Sequence, residues 1–133
     1  MNDTSQFEYS LAAAVCLDPK RVLQLRQIVK NEDFSIPACA TVFDAADRAV
    51  SHGKPFDANI AADGLRDMVD DPRKFLAECI DVTPTLTNSD EYARLLHKRT
   101  AERRLRENVL AALDEENPAC AVAEICKAYL LDS

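Results

Sequence analysis

The chain contains no tryptophan, only two glycines, and no Cys-x-x-Cys pair among its five cysteines. Two glycines leave no material for a Gly-rich loop that cradles phosphates, and no G-x-x-x-x-G-K-[S/T] run is present, so these 133 residues do not encode a nucleotide-hydrolysing loop. The same scarcity argues against the turn-rich grammar of small β-proteins. The cysteines, Cys16, Cys39, Cys79, Cys120 and Cys126, form an odd set without zinc-ligand spacing. Each stands at a helical position among apolar neighbours, which predicts five buried, reduced core thiols and no disulfide framework. His52 and His97 have no Ser, Cys or carboxylate in a familiar catalytic order and read as surface histidines. No apolar run approaches the roughly 18 residues of a membrane span, and Met1-Asn2-Asp3-Thr4 lacks the basic then apolar pattern of a secretory leader. These absences together predict a soluble, cytoplasmic, non-enzymatic protein with no cofactor, no metal and no membrane partner.

What is present points to helices. Hydrophobic residues make up 47% and charged residues 29%, and Ala, Leu, Glu and Arg are plentiful, so an all-α fold with its own core is expected. The formal net charge of -7 opposes a main role in coating nucleic acid, whose binding depends on neutralising phosphates with Lys and Arg. Protein partners are the expectation, with any nucleic-acid contact weak or indirect.

Caps and stripes divide the chain into seven helices. Ser5 with Glu8 has the pattern of a capping box ahead of a first helix from about Gln6 to Leu17, with Phe7, Leu11, Ala14 and Val15 on one face. Asp18-Pro19 restarts the chain into a short second helix near Lys20 to Val29. Ser35 and Pro37 open a third, whose stripe is Ile36, Cys39, Phe43, Ala46 and Val50, and Gly53 ends it as a left-handed cap. Asp57 caps a fourth helix reaching about Met68, weakened by Gly64, and Asp71-Pro72 starts a fifth carrying Phe75, Leu76, Cys79 and Ile80.

The sixth helix begins at Asn88, with Glu91 three residues on, and meets no breaker before Glu115-Glu116-Asn117-Pro118. Tyr92, Leu95 and Leu96 share a face that continues as Arg99, Arg103 and Arg106, while a second apolar face of Ala101, Leu105, Val109, Ala112 and Leu113 takes over. The first half is therefore expected to pack on the preceding helices and the second half to find another apolar surface. Asn117-Pro118 opens a seventh helix in which Ala119, Val122, Ala123, Cys126, Tyr129 and Leu130 form a broad stripe flanked by Ile125, and the short connection implies an antiparallel hairpin. The predicted architecture is a compact five-helix bundle, residues 1–87, followed by a protruding hairpin, residues 88–133. A lone hairpin covers its apolar faces poorly, so Leu105, Val109, Leu110, Leu113, Val122, Ile125, Tyr129 and Leu130 are candidates for partner binding, a second copy of the chain included. Arg99, Arg103 and Arg106, with Arg94, Lys98 and Arg104 nearby, are candidates for contact with phosphate or an acidic partner, or form a solvated face balanced by Glu91, Glu102 and Glu107.

Several fragments, in order and at consistent spacing, carry a family resemblance. They are Leu11 through Leu17-Asp18-Pro19, Glu32-Asp33-Phe34 with Pro37 and Val42-Phe43, Gly53-Lys54-Pro55-Phe56-Asp57, Phe75-Leu76-Ala77-Glu78, and Thr83-Pro84-Thr85 leading to Tyr92-Ala93-Arg94 and Arg103-Arg104-Leu105. Together they resemble the N-terminal domain of DnaB-type replicative DNA helicases. The resemblance covers the body and most of the sixth helix and weakens after Leu113. It departs at Ala12, Ser5-Gln6-Phe7, Cys39-Ala40 and Asp71-Pro72-Arg73-Lys74, and the motor domain of such helicases has no counterpart here. The resemblance implies a helical bundle with a hairpin, pairing of hairpins into homodimers, and docking of primase, replicative helicase or helicase loader. It also implies two settings, a piece of a helicase or a free-standing relative that competes for those partners.

Overall fold

The computed structural model describes residues 4–132. Among them are seven α-helices and no strand: α1 (Ser5–Leu17), α2 (Val22–Leu25), α3 (Pro37–Ser51), α4 (Ala58–Gly64), α5 (Pro72–Asp81), α6 (Ser89–Ala112) and α7 (Pro118–Asp132), with 3-10 turns at Pro19–Arg21 and Asn31–Asp33. The chain divides into two compact units after His97, so the first part of α6 belongs with α1–α5 and the rest with α7.

The first unit is organised around α1. Every residue from Leu11 to Cys16 is buried, and the run Ala12-Ala13-Ala14 lets neighbouring helices approach closely on all sides, as expected of a helix apolar all round. Packed against it are the core faces of α3 (Ala38, Cys39, Val42, Phe43, Ala46), α4 (Ala61, Ala62) and α5 (Leu76, Cys79), together with Ala93 and Leu96 of α6. Phe7 stacks on Tyr92 at 5.7 Å between ring centres, and Tyr9 meets Phe75 edge-on at 5.8 Å.

Several helix boundaries follow the predicted caps. Asp57 accepts from the Ile60 amide at 2.9 Å and Asp71 from the Lys74 amide at 3.1 Å, while Gly53 has φ of 66° just beyond α3. Others differ. The expected Ser5–Glu8 capping box is absent: Thr4 takes the cap position of α1, and the Glu8 carboxylate turns inward to the chain before α3. Ser35 does not cap α3 either, since its hydroxyl donates to that same carboxylate at 2.6 Å. The second helix is a single turn instead of a run to Val29. Val22, Leu25 and Val29 are buried and Ile28 half-buried, but the bonding beyond Leu25 is mixed: the Gln27 and Ile28 amides bond three residues back and the Arg26 and Val29 amides four, so the segment ends in turns and not in a continued α-helix. Helix α4 stops at Gly64 and not near Met68, and the chain continues in turns in which the Leu65 and Met68 amides again bond three residues back. Gly64 is the poorest helix former of that segment.

Two ties fix the approach to α6. Arg21 Nη1 donates to the Leu86 carbonyl at 3.0 Å, and Thr83 Oγ1 bridges the Cys79 carbonyl at 2.7 Å and Ser10 Oγ at 3.2 Å.

Candidate interaction surface

The second unit consists of α6 beyond His97, the link 113–117 and α7. Asn117 reaches the Cys120 amide at 3.5 Å, a long cap for α7, with Pro118 at the first helical position where no amide is needed. Beyond Pro118, the half-buried residues of α7 are Ala121, Val122, Ile125, Cys126 and Tyr129, a stripe at helical spacing, and α7 contains no fully buried residue. On α6 the half-buried positions include Ala101, Leu105 and Val109, with Ala112 buried. On α6 this agrees with the face read from the sequence except at Leu113, which is exposed; on α7 the expected stripe holds at Val122, Ile125, Cys126 and Tyr129, whereas Ala119, Ala123 and Leu130 are exposed and Ala121 is half-buried in their stead.

The candidate partner-binding residues separate into two groups. Leu105, Val109, Val122, Ile125 and Tyr129 are half-buried within the chain itself. Leu110 and Leu113 are 59% and 55% exposed, Leu130 is 69% exposed and its neighbour Leu131 79%. These four are the most exposed large apolar side chains among the described residues, and all lie in the smaller unit. Burying a leucine side chain is worth about 1.5–3 kcal/mol, so four of them leave a substantial unused driving force. Of the basic candidates, Arg99 and Arg106 are exposed and Arg103 is half-buried, while Arg94 pairs with Glu91 at 3.2 Å.

Two polar features escaped the sequence reading. His97 is no ordinary surface histidine: its ring is partly exposed, but Nδ1 lies 2.9 Å from Oδ2 of Asp33, a carboxylate that is 1% exposed and also accepts from the Lys30 amide at 2.9 Å. Glu8, fully buried, accepts from the amides of Ser35 and Ile36, each at 2.8 Å, from Ser35 Oγ, and from Thr4 Oγ1 at 3.2 Å. Both are structural clasps between distant segments, and Asp33 sits in the Glu32-Asp33-Phe34 fragment that contributed to the resemblance.

The cysteines split as well. Cys16, Cys39 and Cys79 are buried as expected, but Cys120 is exposed and Cys126 half-buried, because the helix that carries them is nowhere enclosed on all sides. Burial first, then the neighbouring Cys79, pushes the Cys16 thiol up to about 12, and a hydrogen bond with Cys79 followed by burial holds Cys39 far above the usual thiol range. Titration of the native protein with an aromatic disulfide reagent near neutral pH is expected to modify Cys120 promptly and Cys126 more slowly, with the other three reacting only after denaturant is added. Prompt reaction of more than two thiols would contradict this assignment. Among the described residues no cluster of His, Cys, Asp and Glu is arranged to hold a metal ion, and no helix is long and apolar enough to cross a membrane.

By fold, the chain falls in the class of all-α domains that join a helical body to a further pair of helical segments. Residues 1–98 match the family model of the DnaB-like helicase N terminal domain, and the chain belongs to that family. It is 31% identical over 103 residues to the replicative DNA helicase DnaB of Geobacillus stearothermophilus, covering 74% of this chain and 22% of that protein. It is 29% identical over 104 residues to the replicative DNA helicase DnaB of Leifsonia xyli, covering 75% and 23%. The chain thus spans less than a quarter of the length of these helicases. The crystal structure of the N-terminal domain of DnaB helicase from Mycobacterium tuberculosis shares its fold, with a TM-score of 0.75 over 96% of each chain at 24% identity. The family match ends within one residue of the boundary between the two units, whereas the likeness of fold extends across both.

Proposed function

We propose that this chain is a non-catalytic protein interaction module of the DNA replication machinery, which pairs with a second copy through residues 98–132 and uses the paired surface to dock primase, replicative helicase or a helicase loader. The observation that carries the reading is the concentration of exposed leucine, Leu110, Leu113, Leu130 and Leu131, in the smaller unit of a chain whose larger unit encloses an extensive core of its own. Membership of a replicative helicase family supplies the setting. An isologous arrangement, in which each copy offers the same leucines, covers this area without exposing a new apolar face.

Sedimentation velocity tests the pairing. Wild type is expected to run as a dimer at tens of micromolar, and Leu110→Glu with Leu113→Glu as a monomer whose far-UV circular dichroism is unchanged. Both leucines are more than half exposed, so the charges cost the single chain little, but an unpaired charge buried at an interface costs several kcal/mol. A monomeric wild type, or a double variant that still dimerises, would overturn the pairing. Co-sedimentation of wild type and the double variant with purified helicase, primase and loader tests the docking: binding of none of the three by wild type would overturn it.

A further inference from the structure

A second surface lies wholly in the first unit. Along α3 and its C-cap residue, Thr41, Asp44, Ala45, Arg48, Ala49 and His52 recur at helical spacing on a face adjacent to the core face of the same helix, and together with Lys54, Pro55, Phe56 and Ile60 they line a groove. The groove has a volume of about 530 Å³. Eleven steps of helical rise make its α3 wall about 16 Å long, or three turns. Its floor is apolar: Ala45 and Ala49 are half-buried and Phe56 is 8% exposed, while Ile60 at the edge is 44% exposed. Met68, also 44% exposed, extends the apolar margin beyond Thr41, whose Oγ1 lies 3.3 Å from its sulfur.

The charges at the rim favour one kind of occupant. Arg48 and Lys54 both line the groove and Asp44 is the one carboxylate in the lining, paired with Arg48 at 2.8 Å, so the lining carries a net positive charge on a chain of formal charge -7. His52 turns its Nδ1 to the Arg48 carbonyl at 2.7 Å. At contact range the two cations of the lining outweigh its one carboxylate, and surface charges more than about a Debye length away are screened, so an acidic segment finds its counter-charge at this groove.

We infer that the groove between α3 and residues 54–60 docks a short amphipathic helix of a partner protein, with apolar residues at helical spacing against Ala45, Ala49, Phe56 and Ile60, and acidic residues beside Arg48 and Lys54. The length and apolar floor match the helix-in-groove mode of peptide recognition, and the rim fixes its charge. This inference is independent of the pairing of the second unit.

The probe is a fluorescein-labelled peptide of about four helical turns built from Ala, Leu, Asp and Glu, with Leu at positions three and four apart. Its anisotropy is expected to rise saturably on titration with the full chain and to fall back as salt is added. Lys54→Glu and, separately, Ile60→Asp are each expected to weaken binding on the order of tenfold. Both side chains are exposed, and unchanged circular dichroism and melting serve as the check on folding. The same peptide with Lys in place of its acids is expected not to bind. Equal binding of the Lys peptide overturns the inference, as does loss with Lys54→Glu but none with Ile60→Asp, which would reveal bulk charge attraction outside the groove. Absence of any saturable binding by the acidic peptide overturns it as well.

Discussion

Glu8→Ala is expected to destabilise the chain by about 3–5 kcal/mol, measured as the shift in unfolding free energy by urea denaturation followed at 222 nm. Glu8 is fully buried, and one of its carboxylate oxygens accepts both the Ser35 and the Ile36 amide at 2.8 Å. Those amides immediately precede Pro37, the first residue of α3, so a side chain from α1 serves as the cap that the local sequence does not supply and places a negative charge where the helix dipole favours it. Alanine removes the partner of both donors and leaves a buried gap where the fully buried carboxylate was, and each such loss costs roughly 1–3 kcal/mol. Glu8→Gln keeps an acceptor for the two amides, and its NH2 can meet the Ser35 and Thr4 hydroxyls, which rotate to accept. It is expected to cost less than half as much as the alanine variant. A Glu8→Ala loss below about 1 kcal/mol would show that the contacts are exchanged for water and do not hold α3 to α1.

The same residue shows where sequence reading stops. Asp57, Asp71 and Gly53 act within three or four residues of their own positions, so their roles follow from local chemistry and were legible in the sequence. Glu8 sits three residues after Ser5 just ahead of an apolar run, the signature of a capping box, and nothing local reveals that its partner is 27 residues away. Asp33 and His97 are 64 residues apart, and their pairing depends on the packing of α6 against the body, which a helical wheel of either segment does not contain. The second helix misled for a different reason: its buried residues Val22, Leu25 and Val29 do keep helical spacing, and the apolar pattern does not reveal that the amides beyond Leu25 mix three-residue and four-residue bonds.

The change of face along α6 was legible, because replacement of Tyr92 and Leu96 by arginines on one side and the rise of Leu105 and Val109 on the other are periodic facts. The unit boundary after His97 falls at that change. What periodicity could not give was the division of the second unit's apolar residues into half-buried and exposed. Leu105 and Leu110 have the same hydrophobicity, and only their azimuth relative to a neighbouring surface distinguishes them. Cys120 and Cys126 failed by the same ambiguity: apolar neighbours in sequence signify a core only where a helix is enclosed on several sides, as α1 is and α7 is not.

Phe43→Ala is expected to cost about 3–5 kcal/mol, the range for removing a buried aromatic ring from a close-packed core. Phe43 is 2% exposed in the middle of α3, within the stripe that includes Cys39, Val42 and Ala46, and its ring lies 5.3 Å from that of Phe34 at an angle of 42°. Phe34 directly follows the 3-10 turn that holds Asp33, so the aromatic pair joins the core face of α3 to the segment clasped by Asp33 and by Glu8. Part of the cost should therefore be shared with Phe34. A double-mutant cycle of Phe34→Ala and Phe43→Ala is expected to return a coupling of about 0.5–1.5 kcal/mol, the range for a tilted aromatic pair beyond its area. Phe43→Leu retains most of the apolar volume and should cost less than half of the alanine change. Unchanged melting of Phe43→Ala would mean that the α3 stripe does not face the core. A full loss with zero coupling would mean that Phe43 acts through cavity formation alone and that Phe34 is held in place by its neighbours.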